Sequence, residues 1–328
     1  MLDASQRLDR PSPALAGPGL AAGARRAFLA TRPAFFVASA MPVLIGAAWA
    51  GSALHRFNGL WFGLALAATV LAHAAANVYN DVGDDVIGAD PDNTDRIYPY
   101  TGGSRFIQSQ LLSRTQMTRL ALGLAASALL LGIVLALLHG AGVILFGVAG
   151  LALGLLYSLP GAQLSARGIG EAAVAVGFGA LPVLGASWLQ TGHIDSGAVL
   201  ICVPVSAWAA AILIMNEVPD IESDARVHKR TLVVRCGVGG AKWIYGGLTA
   251  LALAASAAAI WQKVLPLWYA LPALLLAGLG LRALGGMSFQ TSARPRLKRS
   301  IELTLLIHVL GCVGMIVAIL SERMRYPQ

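Results

Sequence analysis

The sequence predicts an all-α, polytopic membrane protein with nine transmembrane helices. Three observations predict it. The 328 residues are 57% hydrophobic and only 12% charged, with a mean hydropathy of +0.69. A soluble domain carries roughly 25% charged residues. The apolar residues gather in nine runs, near 34–52, 58–80, 118–138, 141–159, 171–190, 197–215, 242–261, 265–284 and 301–320, each close to the ~20 residues that cross a bilayer as a helix. The basic residues then sort by side.

Each run has its own local logic. The first follows Arg32-Pro33 and contains Pro42 and Gly46. The second runs straight into an acidic stretch. The third and fourth are joined by a short link at Gly140. The fifth opens on Glu171, an acid that the positive end of a helix favours, and carries Gly177, Gly179, Pro182 and Gly185. These small residues predict close helix packing, as is common in membranes. The sixth runs into a second acidic stretch. The seventh and eighth are divided near Lys263, and the ninth ends just before Arg323.

With a cytoplasmic N-terminus and nine spans, 20 of the 24 Lys and Arg residues fall on the cytoplasmic side. Arg56, Lys263, Arg323 and Arg325 stay outside. This bias obeys the positive-inside rule and places the C-terminus outside. The net charge of +8 follows from topology and anionic lipid, so no nucleic-acid partner is required. Cys202, Cys236 and Cys312 are too scattered for a disulfide framework or a thiolate metal site. Residues 1–30 have no apolar core like that of a signal peptide. They are expected to be a flexible cytoplasmic tail before a membrane domain at 31–322, with a short tail at 323–328.

Ten of the sixteen carboxylates sit in two stretches, each at the end of an apolar run. The first reads Asn77-Val78-Tyr79-Asn80-Asp81-Val82-Gly83-Asp84-Asp85, with Asp90, Asp92 and Asp95 after it. The second reads Asn216-Glu217-Val218-Pro219-Asp220-Ile221-Glu222-Ser223-Asp224. Acids beside a bilayer are costly and mark function. Asp90, Asp92, Asp95 and Glu222 read as solvated loop acids. Helical spacing brings Asn77, Asp81, Asp84 and Asp85 toward one face, with Asn80 beside it, and pairs Asp220 with Asp224. Facing clusters of carboxylates repel unless cations bridge them. Hard divalent ions such as Mg2+ take carboxylate oxygens and share their coordination with phosphate. The pattern predicts a membrane protein that handles a diphosphate. Cations accompany the acids. Gly102-Gly103-Ser104-Arg105 offers backbone N–H groups and a guanidinium to a phosphate, and Lys229-Arg230-Thr231 follows the second stretch. A third cytoplasmic stretch runs from Tyr157-Ser158-Leu159-Pro160 to Arg167-Gly168-Ile169-Gly170-Glu171.

These residues resemble the UbiA superfamily of intramembrane prenyltransferases. Asn80-Asp81-x-x-Asp84 resembles its first signature. Asp220, Asp224, Lys229, Thr231 and Leu232 resemble its second. Arg32-Pro33 with Pro42, and the stretch from Tyr157 to Glu171, also fit, so the resemblance spans roughly residues 30–320. Within the superfamily, Asn77-x-x-Asn80-Asp81-x-x-Asp84 with Asn216, Asp220, Asp224 and Lys229 is most similar to the branch that prenylates 1,4-dihydroxy-2-naphthoate in menaquinone synthesis. Gly88 stands where some members carry a third Asp, and His228 where that branch often has Gly.

The resemblance implies a helix bundle with a central cavity open to lipid, in the inner (cytoplasmic) membrane. It implies Mg2+-dependent transfer from an allylic polyprenyl diphosphate to an aromatic acceptor, dihydroxynaphthoate first. It casts Asp81, Asp84, Asp220 and Asp224 as catalytic metal ligands, with Asp85 as a further ligand. Asn77, Asn80, Arg105, Lys229 and Arg230 would bind diphosphate. No obligate protein partner is expected. Other acceptors stay open: 4-hydroxybenzoate, haem, a chlorophyll precursor or a glycerol phosphate lipid. A cation-coupled transporter would place its acids near the midplane, whereas these lie at span ends. Intact Asp pairs argue against a scaffold that has kept the fold without chemistry.

Overall fold

The computed structural model describes residues 15, 17–53, 55–89, 93, 95–159, 161–290 and 293–325. Asp90, Asp92 and Pro160 lie outside the described residues, as do most of 1–16 and residues 326–328. Eleven helical elements follow one another: α1 (Leu20–Ala30), α2 (Val37–Ala53), α3 (Gly59–Ile87), α4 (Arg114–His139), α5 (Gly142–Ser158), α6 (Gly170–Thr191), α7 (Ser196–Glu217), α8 (Ile221–Arg226), α9 (Leu232–Trp261), α10 (Ala270–Gly285) and α11 (Arg294–Arg325). A single turn, Val218–Asp220, joins α7 to α8. The segment expected to be a flexible tail, 1–30, thus ends in a helix, α1. Arg26 donates to the carbonyls of Leu15 and Gly17 and ties that helix to the chain before it.

Eight described spans are long and apolar enough to cross a membrane. The expected ninth, at 141–159, is α5. It is apolar but has only 17 residues, about 25 Å at 1.5 Å per residue. A bilayer core is about 30 Å thick. The count therefore stands at eight spans plus one shorter apolar helix.

Side-chain caps open several of the helices. Ser113 and Gln116 form a capping box on α4. The Asn58 side chain accepts from the Leu60 and Trp61 amides at the start of α3. Asp195 caps α7 and also accepts from the Trp49 indole at 3.0 Å, which fastens α7 to α2. At its other end α3 stops at Gly88, whose φ of 81° is left-handed and favours glycine.

α7 forms the centre. Its most apolar stretch is 72% buried, against 17% for α3 and for α4. Around it, α9 packs on α7 and α10, α10 on α11, α11 on α2, and α2 on α6. α3, α4 and α5 pack on one another, and α3 and α5 also meet α6. Lipid tails are as apolar as leucine, so packing holds such helices together through small residues. A side chain on Gly46 would strike the Val183 carbonyl, and one on Gly179 would strike the Ser206 backbone. Gly179 lies in a π-helical turn, Val176–Ala180, within α6. The outward leucines Leu122, Leu130, Leu145 and Leu271 are exposed, as a lipid-facing surface requires.

Candidate active site

The acidic ends of α3 and α7 meet at one end of a cavity of about 850 Å3. α3 supplies one continuous face of it: Ala65, Ala68, Thr69, Ala72, His73, Ala76, Asn77, Asn80 and Asp84. These positions recur mostly at three- and four-residue steps, so one stripe runs from alanines interspersed with Thr69 and His73 to amides and then to a carboxylate. α7 and α8 add Asn216, Glu217, Asp220 and Asp224, and Lys229 and Arg32 complete the polar end. The far end, formed by α4, α5 and α6, is almost wholly apolar.

The four principal aspartates take different partners. Asp84 accepts from Lys229 Nζ at 3.1 Å, and Asp224 lies 3.5 Å from the same nitrogen. Burial opposes the Lys229 ammonium, but Asp84 and Asp224 outweigh it and hold the group well above the usual lysine range. Asp220 accepts from Asn93 Nδ2 at 2.7 Å and from the Gly102 amide at 3.3 Å. Asp81 pairs with Arg32 and accepts from the Ser104 amide at 3.0 Å. Asp81, Asp84 and Asp224 are at most 7% exposed, so each carboxylate needs such partners.

Several expected site residues sit elsewhere. Spacing suggested that Asn77, Asp81, Asp84 and Asp85 share a face, with Asn80 beside it. The cavity face instead carries Asn77, Asn80 and Asp84. Successive residues turn about 100° around a helix, so Asp85 swings away from Asp84. Its carboxylate meets Gln108 at 3.0 Å and Arg114 at 2.6 Å, and it does not line the cavity. Arg105 and Arg230 do not line it either. Arg230 is exposed, and its amide bonds to the Ala166 carbonyl. The Gly102–Ser104 turn was expected to aim N–H groups at phosphate. Two of those groups instead bind Asp220 and Asp81, the anions already present. Gly102 has a left-handed φ of 69°, and a side chain there would crowd Arg96. Asn77 donates to the Thr31 carbonyl and Asn80 to Ser158 Oγ.

Other residues were not singled out for this site. Arg32 lies 49 positions before its partner Asp81, and only the Arg32-Pro33 pair hinted at it. Asn93 lies 127 positions before its partner Asp220. Glu217 lines the cavity, and its Oε2 is buried without a hydrogen-bond partner among the described residues. Its position beside Asp220 was the available signal.

Among the described residues, no three His, Cys, Asp or Glu side chains gather tightly enough to hold a metal ion. The donor chemistry nonetheless suits a hard cation. The polar end offers oxygen donors, and Asn216 Oδ1 is buried without a hydrogen-bond partner among them. The Lys229 ammonium also shows that a cation between Asp84 and Asp224 is accommodated.

Comparison with known proteins agrees with this architecture. Residues 39–319 match the UbiA prenyltransferase family. The 1,4-dihydroxy-2-naphthoate octaprenyltransferase of Mycobacterium tuberculosis is 34% identical over 67% of this chain and 73% of its own. The enzyme of the same name from Haemophilus influenzae is 31% identical over 84% of this chain and 92% of its own. The solved structure of a UbiA homolog from Archaeoglobus fulgidus, bound to GPP and Mg2+, superposes with a TM-score of 0.59 at 16% identity. It covers 89% of this chain and 98% of that one.

Proposed function

The chain belongs to the UbiA prenyltransferase family and is an integral membrane prenyltransferase; on that premise we propose that it moves a polyprenyl group from an allylic polyprenyl diphosphate to 1,4-dihydroxy-2-naphthoate. The observation that carries this reading is the polarity of a single cavity. Carboxylates and cations lie at one end, and mostly apolar side chains line the rest. An amphiphile with a diphosphate head and a hydrocarbon tail matches both halves. The named relatives support this acceptor, and the GPP and Mg2+ of the solved homolog support the donor class and the metal.

Asp84, Asp220 and Asp224 would hold Mg2+, with the Asn77 and Asn80 amides beside them. Asp85 is not part of this set, because Arg114 and Gln108 already engage it. When bound, the metal supplies charge neutralisation that favours loss of diphosphate. Lys229 and Arg32 face the same space and stabilise negative charge as it develops on the leaving group. Asp81 positions Arg32. Arg105 and Arg230 are not carried forward as diphosphate-binding groups. As the allylic C–O bond breaks, the apolar wall keeps water from the electron-poor carbon. The acceptor ring then supplies the electron pair of the new C–C bond, with loss of carbon dioxide from the ring carboxylate accompanying the substitution. In the proposed topology the polar end and the N-terminus face the cytoplasm across the inner membrane.

The test is prenyl transfer by purified protein in nanodiscs, with Mg2+, labelled geranylgeranyl diphosphate and a panel of dihydroxynaphthoate, 4-hydroxybenzoate and haem. Product from dihydroxynaphthoate alone is expected. Product from another acceptor alone would replace the acceptor assignment and keep the enzyme class.

A further inference from the structure

Between the acids and the apolar end, α3 turns the imidazole of His73 to the cavity. The residue is only 6% exposed. Its ring meets two others. Phe36, just before α2, lies at 5.7 Å between centroids, and Phe178, in the π-helical turn of α6, at 4.5 Å. Such turns are frequent at functional sites.

The hydrogen bonds decide which ring nitrogen carries the proton. Ser39 Oγ, on α2, donates its hydrogen to the Phe36 carbonyl at 3.1 Å. Toward His73 Nδ1, 3.0 Å away, it can then only accept. A neutral imidazole that carries its proton on Nδ1 has a lone pair on Nε2. Nε2 has no partner among the described residues and is left to the cavity that the ring lines.

The depth of this lone pair suits a substrate. From His73, α3 advances 7 residues to Asn80 and 11 to Asp84, about 10 and 16 Å at 1.5 Å per residue. A diphosphate held by the aspartates occupies the near part of that distance, and a ring seated against His73 the far part. A polyprenyl tail carries no N–H or O–H, so it would leave Nε2 buried and unpaired, which is costly. A hydroxylated aromatic ring supplies the missing hydrogen. Phe178 lines the cavity beside His73 and offers such a ring an aromatic contact.

We propose that His73 Nε2 accepts a hydrogen bond from a ring hydroxyl of the aromatic acceptor, and so selects hydroxylated rings and orients them toward the reacting carbon. The inference rests on the prenyl-transfer reading above and adds a specificity-determining residue to it. Ser39 acts through His73, by holding the proton on Nδ1.

The experiment measures KM for dihydroxynaphthoate and for geranylgeranyl diphosphate in nanodiscs with Mg2+, and inhibition by 2-naphthoate, which has no ring hydroxyl. His73→Phe keeps an aromatic ring and removes the accepting nitrogen. It is expected to raise the KM for dihydroxynaphthoate about tenfold, the scale for leaving a buried polar group unpaired. The KM for the diphosphate and the inhibition by 2-naphthoate should not change. His73→Gln, which returns an acceptor near the position of Nε2, should recover most of the loss. Ser39→Ala should raise the same KM by a smaller factor. A rise confined to dihydroxynaphthoate in His73→Phe or Ser39→Ala supports the proposal, even where the other fails to fold. An unchanged KM for dihydroxynaphthoate in each of these two that folds overturns the proposal and leaves the enzyme reading intact. So does an equal weakening of 2-naphthoate or of the diphosphate, because a cavity merely reshaped would affect all three. No transfer by the unmodified protein with any donor and acceptor would overturn the enzyme reading, and this proposal with it.

Discussion

The end of α3 spreads three carboxylates over three cations, whereas the α7–α8 junction turns both of its aspartates to one cavity. Asp81 goes to Arg32, Asp84 to Lys229 and Asp85 to Arg114. Asp220 and Asp224 both stay with the site. The difference lies in backbone geometry. α3 remains regular through Asp85, so neighbouring acids fan around its axis. The second stretch passes through the tighter turn Val218–Asp220 before resuming as α8, which lets Asp220 and Asp224 face the same space. Two stretches of similar composition therefore have unequal shares in the proposed chemistry.

That inequality can be tested in order of expected effect. Removing Mg2+ with EDTA should abolish prenyl transfer, and adding it back should restore the rate; transfer that persists in EDTA would remove the metal from the proposal. Asp84→Ala and Asp220→Ala should each lower kcat at least about 100-fold, the scale for losing one electrostatic element of an active site. Comparable rates for Asp84→Ala and the parent would break the comparison outright. Lys229→Met should lower kcat by about the same order and, unlike the aspartate variants, retain Mg2+ dependence. Gly179→Val, where α6 meets the backbone of Ser206, should cost about 1–3 kcal/mol through overpacking, read as a lower melting temperature in detergent. Asp85→Asn is the smallest change. Its partner Arg114 is 56% exposed, so the loss should be about 0.2–1 kcal/mol, with activity within about twofold. A large activity loss there would return Asp85 to the metal set.

Helix identity, the acidic stretches and their order were legible because apolar runs and local spacing encode them. Gly88 was legible only as a departure from the superfamily pattern. Its left-handed backbone explains it, since it ends α3 one turn after Asp84. What spacing could not convey was the direction each acid faces, because that depends on residues distant in sequence. Arg32 and Asn93 approach Asp81 and Asp220 from 49 and 127 positions away. The Gly102–Ser104 turn was recognisable as a source of N–H groups, but not that the protein's own aspartates take them. The 141–159 run marked an apolar helix correctly. It carried no information on whether 17 residues suffice for a span.

One face of α3 holds Ala65 and Ala68 at one end and Asp84 at the other, about 28 Å apart at 1.5 Å per residue. One regular helix thus fixes both ends of the cavity in a single register, so a shift of α3 along its axis would carry the alanine stripe and the carboxylate together.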